Sequence, residues 1–321
     1  MKITETSIKL KRANRITTTK YSLLTWLPKS IWAQFRRVAN VYFLIISILM
    51  IIGTYAPGLF QSPLEPWSTV LTLIFVLMVT SVKEGMEDIA RAKSDSYENN
   101  KVYIKIEIDD EGTIYETEIR SEQINPGDVI KLEGEQAIPA DILILLTSHY
   151  DDGNKCYIET ANLDGETNLK LKEAPSLLYD EYPDIINSGK IRWQLMSGSI
   201  NCQTPNKNMH KFTGSLKLKY KSDIPLGAGN VILRGSQIKN TDWVYGVAIY
   251  TGQDTKIQMN SRQPPTKMSK IEGYLNDAIK IIFVAQCLIT TASVISIYLT
   301  GFENRSKELP YVYPDGNDTG S

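Results

Sequence analysis

No lysine or arginine occurs between Val38 and Val82, and that absence constrains the fold of this 321-residue chain more than any other feature. Two apolar segments lie within it: Val38 to Phe60 (VANVYFLIISILMIIGTYAPGLF) and Leu64 to Val82 (LEPWSTVLTLIFVLMVTSV). A third runs from Ala278 to Thr300 (AIKIIFVAQCLITTASVISIYLT). A helix needs about 20 mainly apolar residues to cross the hydrocarbon core of a bilayer, and each segment is near that length. They are read as spanning helices and not as buried core helices, because two long apolar runs free of cations suit lipid. Asn40 and Lys280 lie close enough to segment ends to reach the interface.

Basic residues set the expected orientation. Lys9, Lys11, Arg12, Arg15, Lys20, Lys29, Arg36 and Arg37 precede the first span, and the 61–63 connection has none. The positive-inside rule therefore places the segment 1–37 in the cytosol and that connection outside. Lys83, Arg91 and Lys93 follow the second span and Arg262, Lys267 and Lys270 precede the third, so the region between them is expected to be cytosolic. Tyr55, Trp67 and Tyr298 then fall at the outer interface, where aromatic belts form. The tail 301–321 is expected outside, and both Asn-x-Ser/Thr sequons, at Asn304 and Asn317, lie in it. No apolar stretch with a cleavage site opens the chain, so no cleaved leader is expected.

Beyond the hairpin 38–82, residues 83–100 (KEGMEDIARAKSDSYENN) continue with helix formers and place Glu87 and Arg91 at i,i+4 spacing. They read as a stalk carried out of the bilayer, or as a solvated helix end. From 101 to 262 the period changes to two. VYIKIEI (102–108) and TIYETEI (113–119) alternate around Asp109, Asp110 and Gly112. DVIKL, DILILL, CYIET, VILRGSQI and VYGVAIYTG follow between Gly, Pro and Asn breaks, which predicts an all-β barrel or sandwich with one partly helical insertion near 172–192. The double proline at 264–265 makes 263–277 a stiff linker toward the third span, 278–300.

Composition removes several function classes. A net charge of −1 gives no general attraction to nucleic acid. Cys156, Cys202 and Cys287 are odd in number and far apart, with no His cluster near them, against a disulfide framework or zinc site. His149 and His210 stand alone and read as structural or exposed. One short stretch raises a chemical question. Residues 159–170 (ETANLDGETNLK) contain Asp164-Gly165-Glu166-Thr167. Asp-Gly is a common turn dipeptide, so the tetrapeptide alone reads as a solvated turn.

Six stretches, in order, change that reading. NRITTTKYSLLTWLPKSIWAQFRRVANVYFL (14–44) resembles the approach to the first membrane helix of the P4-type ATPases, the phospholipid flippases of eukaryotic membranes, and VKEGMEDIARAKSD (82–95) resembles the exit from the second. QINPGDVIKLEGEQAIPADILIL (123–145) and CYIETANLDGETNLK (156–170) resemble the family's actuator domain. VILRGSQIKNTDWVYGVAIYTGQDTKIQMN (231–260) resembles the strands closing it, and TKMSKIEGYLN (266–276) the entry to helix three. Ion-pumping relatives typically carry Thr-Gly-Glu at the actuator loop, whereas Asp-Gly-Glu-Thr is the form of the lipid-transporting branch. Many flippases have glutamines near the outer part of span one; the matching LMIIGTY (49–55) has none, so headgroup choice does not carry over.

The resemblance implies α-helical membrane segments plus an all-β cytosolic actuator domain. It implies a pump that phosphorylates an aspartate from ATP and hydrolyses the acyl phosphate, moving phospholipid toward the cytosolic leaflet. Glu166 would position and partly deprotonate the attacking water. Gly165 would let the backbone turn and approach a phosphate, while Asp164 and Thr167 would shape the loop by hydrogen bonds within it. ATP and Mg²⁺ would be bound outside this chain, since no Asp-Lys-Thr-Gly sequence or Gly-rich phosphate loop occurs and PLGAGN (225–230) reads as a turn. This stretch alone is therefore expected neither to hydrolyse ATP nor to move lipid. A glycosylated membrane β-subunit is implied by family only, in an endomembrane or the plasma membrane. Asn40, Ser47 and Thr54 share a helix face in span one, but bonding within their own helix explains them equally. A cation- or polyamine-transporting P-type ATPase and a non-enzymatic membrane scaffold are the alternatives.

Overall fold

The computed structural model describes residues 2–5, 13–22, 24–56, 58, 62, 65–108, 114–176, 178, 186–187, 190–191, 198–218, 223–261 and 270–300. The turn at 109–112, most of the 262–270 linker, much of the 172–192 insertion and the tail with its sequons lie outside these. The chain divides into a β-rich unit, residues 1–20 and 88–265, and a helical unit, residues 21–87 and 266–321.

In the β-rich unit, alternation builds a six-stranded antiparallel sheet in the order β13-β5-β15-β4-β2-β3. Its strands are β2 (Val102–Ile108), β3 (Ile114–Arg120), β4 (Val129–Glu133), β5 (Asp141–Thr147), β13 (Val231–Ile232) and β15 (Trp243–Tyr250). β4 alternates half-buried and buried residues, whereas β5 is buried throughout. The continuous DILILL run is thus that of a strand covered on both faces. Leu143 and Leu145 point into one core, with Ile200, Leu216 and Ile224 from a second sheet. That sheet has the order β1-β10-β11-β12, formed by Lys2–Glu5, Gly198–Cys202, Gly214–Leu218 and Ile224–Leu226. Ile142 and Ile144 point into the other core, with Cys156, Ile158 and Ile238. These come from a three-stranded sheet, β14-β6-β7, made of Gln237–Lys239, Lys155–Glu159 and Lys170–Glu173. The architecture is a sandwich of layers with two cores. The remaining pair, β8 (Ile186–Asn187) and β9 (Lys190–Ile191), falls inside the insertion expected to be partly helical.

Polar hubs lock these layers. Asn14 is fully buried: its amide donates to the carbonyls of Ser121 (3.0 Å) and Pro139 (2.9 Å). Its Oδ1 accepts from Gly252 N and Arg234 Nη1, both at 2.8 Å. Asp141 accepts the backbone N–H of Arg234 at 2.9 Å and of Lys256 at 2.8 Å, and burial pushes its carboxyl up to about 6. The Lys256 ammonium, also buried, donates to Asn206 Oδ1, Asn208 O and Lys211 O at 2.9, 2.8 and 3.0 Å, fixing the loop they share.

A long helix, α3 (Pro66–Asn99), contains the second apolar segment and the stalk. Its last turns lie in the β-rich unit, where they hold an extended strap, residues 14–20. Asn99 Oδ1 accepts Ile16 N at 2.8 Å, Asp95 Oδ2 accepts Thr18 N at 2.7 Å, and Asp88 Oδ1 accepts Lys20 N at 2.7 Å. Two residues of extended chain advance about 6.6 Å and one helical i,i+4 step about 6 Å, so Asn99 and Asp95 meet alternate strap residues. One face of this helix end, through Asp88, Asp95 and Asn99, thus carries the strap.

The helical unit holds α1 (Trp26–Gln34), α2 (Val38–Tyr55), the first part of α3 and α6 (Lys270–Thr300). Among the described residues, three helices are long and apolar enough to cross a membrane: Val38–Tyr55, Pro66–Asn99 and Gly273–Ser296. Phe75, Met78, Ile282, Leu288 and Ile289 are among their many exposed apolar side chains, as lipid-facing positions should be. Tyr55, Trp67 and Tyr298 are exposed at helix ends. On α2, Thr54 Oγ1 donates to Met50 O at 2.9 Å, the bonding within its own helix that the sequence left open. Asn40 is buried and donates to Gln34 O at 2.9 Å, a local tie at the start of the helix.

Candidate actuator-loop site

The Asp-Gly-Glu-Thr stretch connects β6 to β7, two neighbouring strands paired from Lys155↔Glu173 to Ile158↔Lys170. Leaving β6, the chain makes one helical turn, α4 (Ala161–Asp164). Thr160 precedes it and is buried; its hydroxyl donates forward to Asp164 Oδ1 at 2.9 Å. The turn ends at Gly165, with φ +78° in the left-handed region. An L side chain there is strained, although a Cβ would meet no neighbouring atom within 4 Å. Gly165 is thus required by backbone conformation and not by crowding within the chain.

Asp164 closes the loop from inside. Its Oδ1 accepts Glu166 N at 3.0 Å, and its Oδ2 lies 2.5 Å from the Lys170 ammonium. The Lys170 ammonium, helped by the Glu166 backbone N–H, holds the Asp164 carboxyl down at about 2. Lys170 reaches Glu166 as well, Nζ to Oε2 at 2.9 Å, and hydrogen bonds from Asp164 and then Glu166 raise its own pKa. One cation therefore bridges two carboxylates. The Glu166 side chain is 59% exposed, against 33% for Asp164 and 33% for Lys170, so the carboxylate is presented outward.

The four residues singled out from sequence lie together on this one turn. Asp164 makes its hydrogen bonds within the loop. Thr167 is exposed and makes no hydrogen bond among the described residues. The other bonds that close the loop come from Thr160 and Lys170, which sequence reasoning passed over. The available signal was that Lys170 is the only cation in ETANLDGETNLK. The next inward residue on β7, Lys172, is desolvated, which lowers its pKa, and donates to Ala228 O at 2.6 Å. This bond ties the strand carrying the loop to the 225–230 turn.

Among the described residues no three His, Cys, Asp or Glu side chains lie together as a metal site. The two carboxylates of the loop already share an ammonium, so the loop by itself does not fit Mg²⁺. Cys156 is buried beside it in β6, and burial pushes its thiol up to about 12, leaving it an inert apolar side chain.

Comparison with known proteins agrees with this architecture. Residues 5–67 match the phospholipid-translocating ATPase N-terminal family and residues 109–263 the P-type ATPase actuator domain family. Probable phospholipid-transporting ATPase 12 of Arabidopsis thaliana is 37% identical over 311 residues, 94% of this chain and 24% of that protein. Phospholipid-transporting ATPase 10 of the same plant is 36% identical over 315 residues, 95% of this chain and 24% of that protein. Probable phospholipid-transporting ATPase 7 is 37% identical over 287 residues, 88% and 21% of the two chains. The chain thus spans about a quarter of the length of the curated relatives it matches. With membrane-length helices, a β sandwich in the actuator position and the Asp-Gly-Glu-Thr turn at its surface, the chain belongs to the P4-type ATPases and carries their N-terminal and actuator regions.

Proposed function

We propose that this chain is the membrane-entry and actuator part of an ATP-driven transporter that moves phospholipid toward the cytosolic leaflet. In this reading Glu166 promotes hydrolysis of an aspartyl phosphate located outside the chain. The observation that carries it is the outward carboxylate of Glu166, held on a left-handed turn between two paired strands. A carboxylate so placed accepts a hydrogen bond from a water, aims it at phosphorus and takes its proton as the P–O bond to the aspartate breaks. Lys170 has a defined part. A turn bearing two bare carboxylates would be repelled by a phosphate, and the shared ammonium offsets one of the two charges. Gly165 keeps the approaching surface free of a side chain.

ATP and Mg²⁺ belong to the longer enzyme and are held by residues outside this chain. The N-terminal segment and the β-rich unit lie on the cytosolic side, consistent with the basic residues flanking the spans. The membrane is an endomembrane or the plasma membrane, with a glycosylated β-subunit as partner. The relatives above, all named as phospholipid-transporting, favour this reading over cation transport or a scaffold.

The test is Glu166→Gln in the longer enzyme, isosteric but unable to take a proton. The acyl phosphate should form normally and decay on lipid addition about 10²–10⁴-fold more slowly. Decay at the unmodified rate would overturn the assignment.

A further inference from the structure

Helix α1 is inside out for a helix in water. At 100° per residue, Trp26, Ser30 and Gln34 fall on one side and Leu27, Ile31 and Trp32 on another, with Phe35 continuing the second arc. A water-exposed helix turns its apolar stripe toward the protein and its polar face outward. Here the inward side is largely polar. Ser30 is fully buried and its hydroxyl donates to Glu84 Oε2 at 2.6 Å. Gln34, also buried, donates through Nε2 to Ser81 Oγ at 2.8 Å. The Trp26 ring lies so close to α3 that a Cβ on Gly85 would come within 2.8 Å of its Cζ2. Outward, Trp32 is 81% exposed and Leu27 50%, with Leu24 at 91% just before the helix.

Such an arrangement is stable only where the surrounding medium is apolar. Three residues after α1 the chain enters α2, one of the membrane-length helices, so the apolar arc is continuous with a surface already read as lipid-facing. Charge narrows the medium further. No acidic residue occurs between Glu5 and Glu65, while Lys29, Arg36 and Arg37 sit on or just after α1, all exposed. Basic side chains near an anionic leaflet are attracted to its phosphates.

We propose that α1 lies in the interface of an anionic lipid leaflet, with Leu27, Ile31 and Trp32 in the upper acyl region and Lys29, Arg36 and Arg37 at the phosphates. The Ser30–Glu84 and Gln34–Ser81 bonds make this foot one piece with α3. The proposal rests on the long helices crossing a bilayer and not on lipid being transported, so failure of the transport reading leaves it standing.

The test uses the whole chain in nanodiscs with Cys287→Ser, which leaves only the buried Cys156 and Cys202. A fluorescent label is placed on Trp32→Cys or, separately, on Leu27→Cys. Tyr115→Cys, on an exposed position of β3, and Leu288→Cys, in α6, are the comparators. A nitroxide high on the lipid acyl chain should quench the α1 labels about twofold more than one deep in the chain, and Leu288→Cys should show the reverse. Aqueous iodide should quench only Tyr115→Cys. Iodide quenching of the α1 labels equal to that of Tyr115→Cys would overturn the proposal. So would shielding from both quenchers, which would mean a protein covers the helix. Raising phosphatidylserine from none to about 30% should deepen the shallow quenching, and Lys29→Gln with Arg36→Gln and Arg37→Gln should abolish that gain. The same response to phosphatidylserine in that triple variant would overturn the anionic assignment.

Discussion

Asp141 and Asp164 hold the chain in opposite ways. Each binds backbone N–H groups: Asp141 those of Arg234 and Lys256, Asp164 that of Glu166. Asp141 is fully buried, and loss of water pushes its carboxyl up to about 6. Asp164 is partly exposed, and the Lys170 ammonium holds it down at about 2. The first clamp resists exchange of partners because everything around it is packed. The second is a surface ion bridge whose cation can exchange partners at little cost. A rigid sandwich and an adaptable loop are built from the same side chain.

The comparison breaks most decisively at the buried end. Asn14→Ala would leave the Arg234 guanidinium, Gly252 N–H and two carbonyls short of partners. It should destabilise the β-rich unit by about 3 kcal/mol or more, read by urea unfolding of the solubilised chain. A loss under about 1 kcal/mol would mean water replaces Asn14. Next comes the pH dependence. The folded pKa of Asp141 lies above its ordinary 3.8, so its contribution to stability is present below about pH 4 and lost as pH rises through about 6. Asp141→Asn should flatten that part of the stability curve. For Asp164 the sign reverses: its contribution is present above about pH 4 and lost as pH falls through about 2.

Gly165→Ala forces an L side chain to φ +78° and should cost about 1 kcal/mol, visible as faster proteolysis within 160–170. The smallest effect is expected from Lys170→Met. The unfolding midpoint should not move, while hydrogen exchange at the Glu166 N–H should quicken as Asp164 loses its anchor. A large fall in the midpoint would place Lys170 with the buried clamp.

Periodicity and length made the membrane helices and the strands β2 to β6 legible, since a two-residue repeat over seven residues has few other readings. Gly-Ser misled in VILRGSQI, read as one strand. The structure turns at Gly235, with φ +82°, and sends β13 and β14 into different sheets. The sheet of β10, β11 and β12 was not legible, because the Gly, Ser, Asn and Pro residues in GSINC, GSLKL and IPL read as turn formers. At the candidate site, Glu166 and Gly165 came from resemblance and local turn chemistry. Lys170 did not, because its bonds depend on where β7 begins. Asn14 gave no local signal: its partners are 107 to 238 residues away.

That span of 238 residues also orders the birth of the molecule. A ribosome adding about 5–20 residues per second delivers Asn14 about 10–50 s before Gly252. Asn14, near the start of the β-rich unit, thus completes its bonds among the last, and acts as a latch on a finished sandwich. Anything that occupies residues 14–20 during synthesis would leave complete layers unfastened, a maturation fault that leaves the actuator loop itself intact.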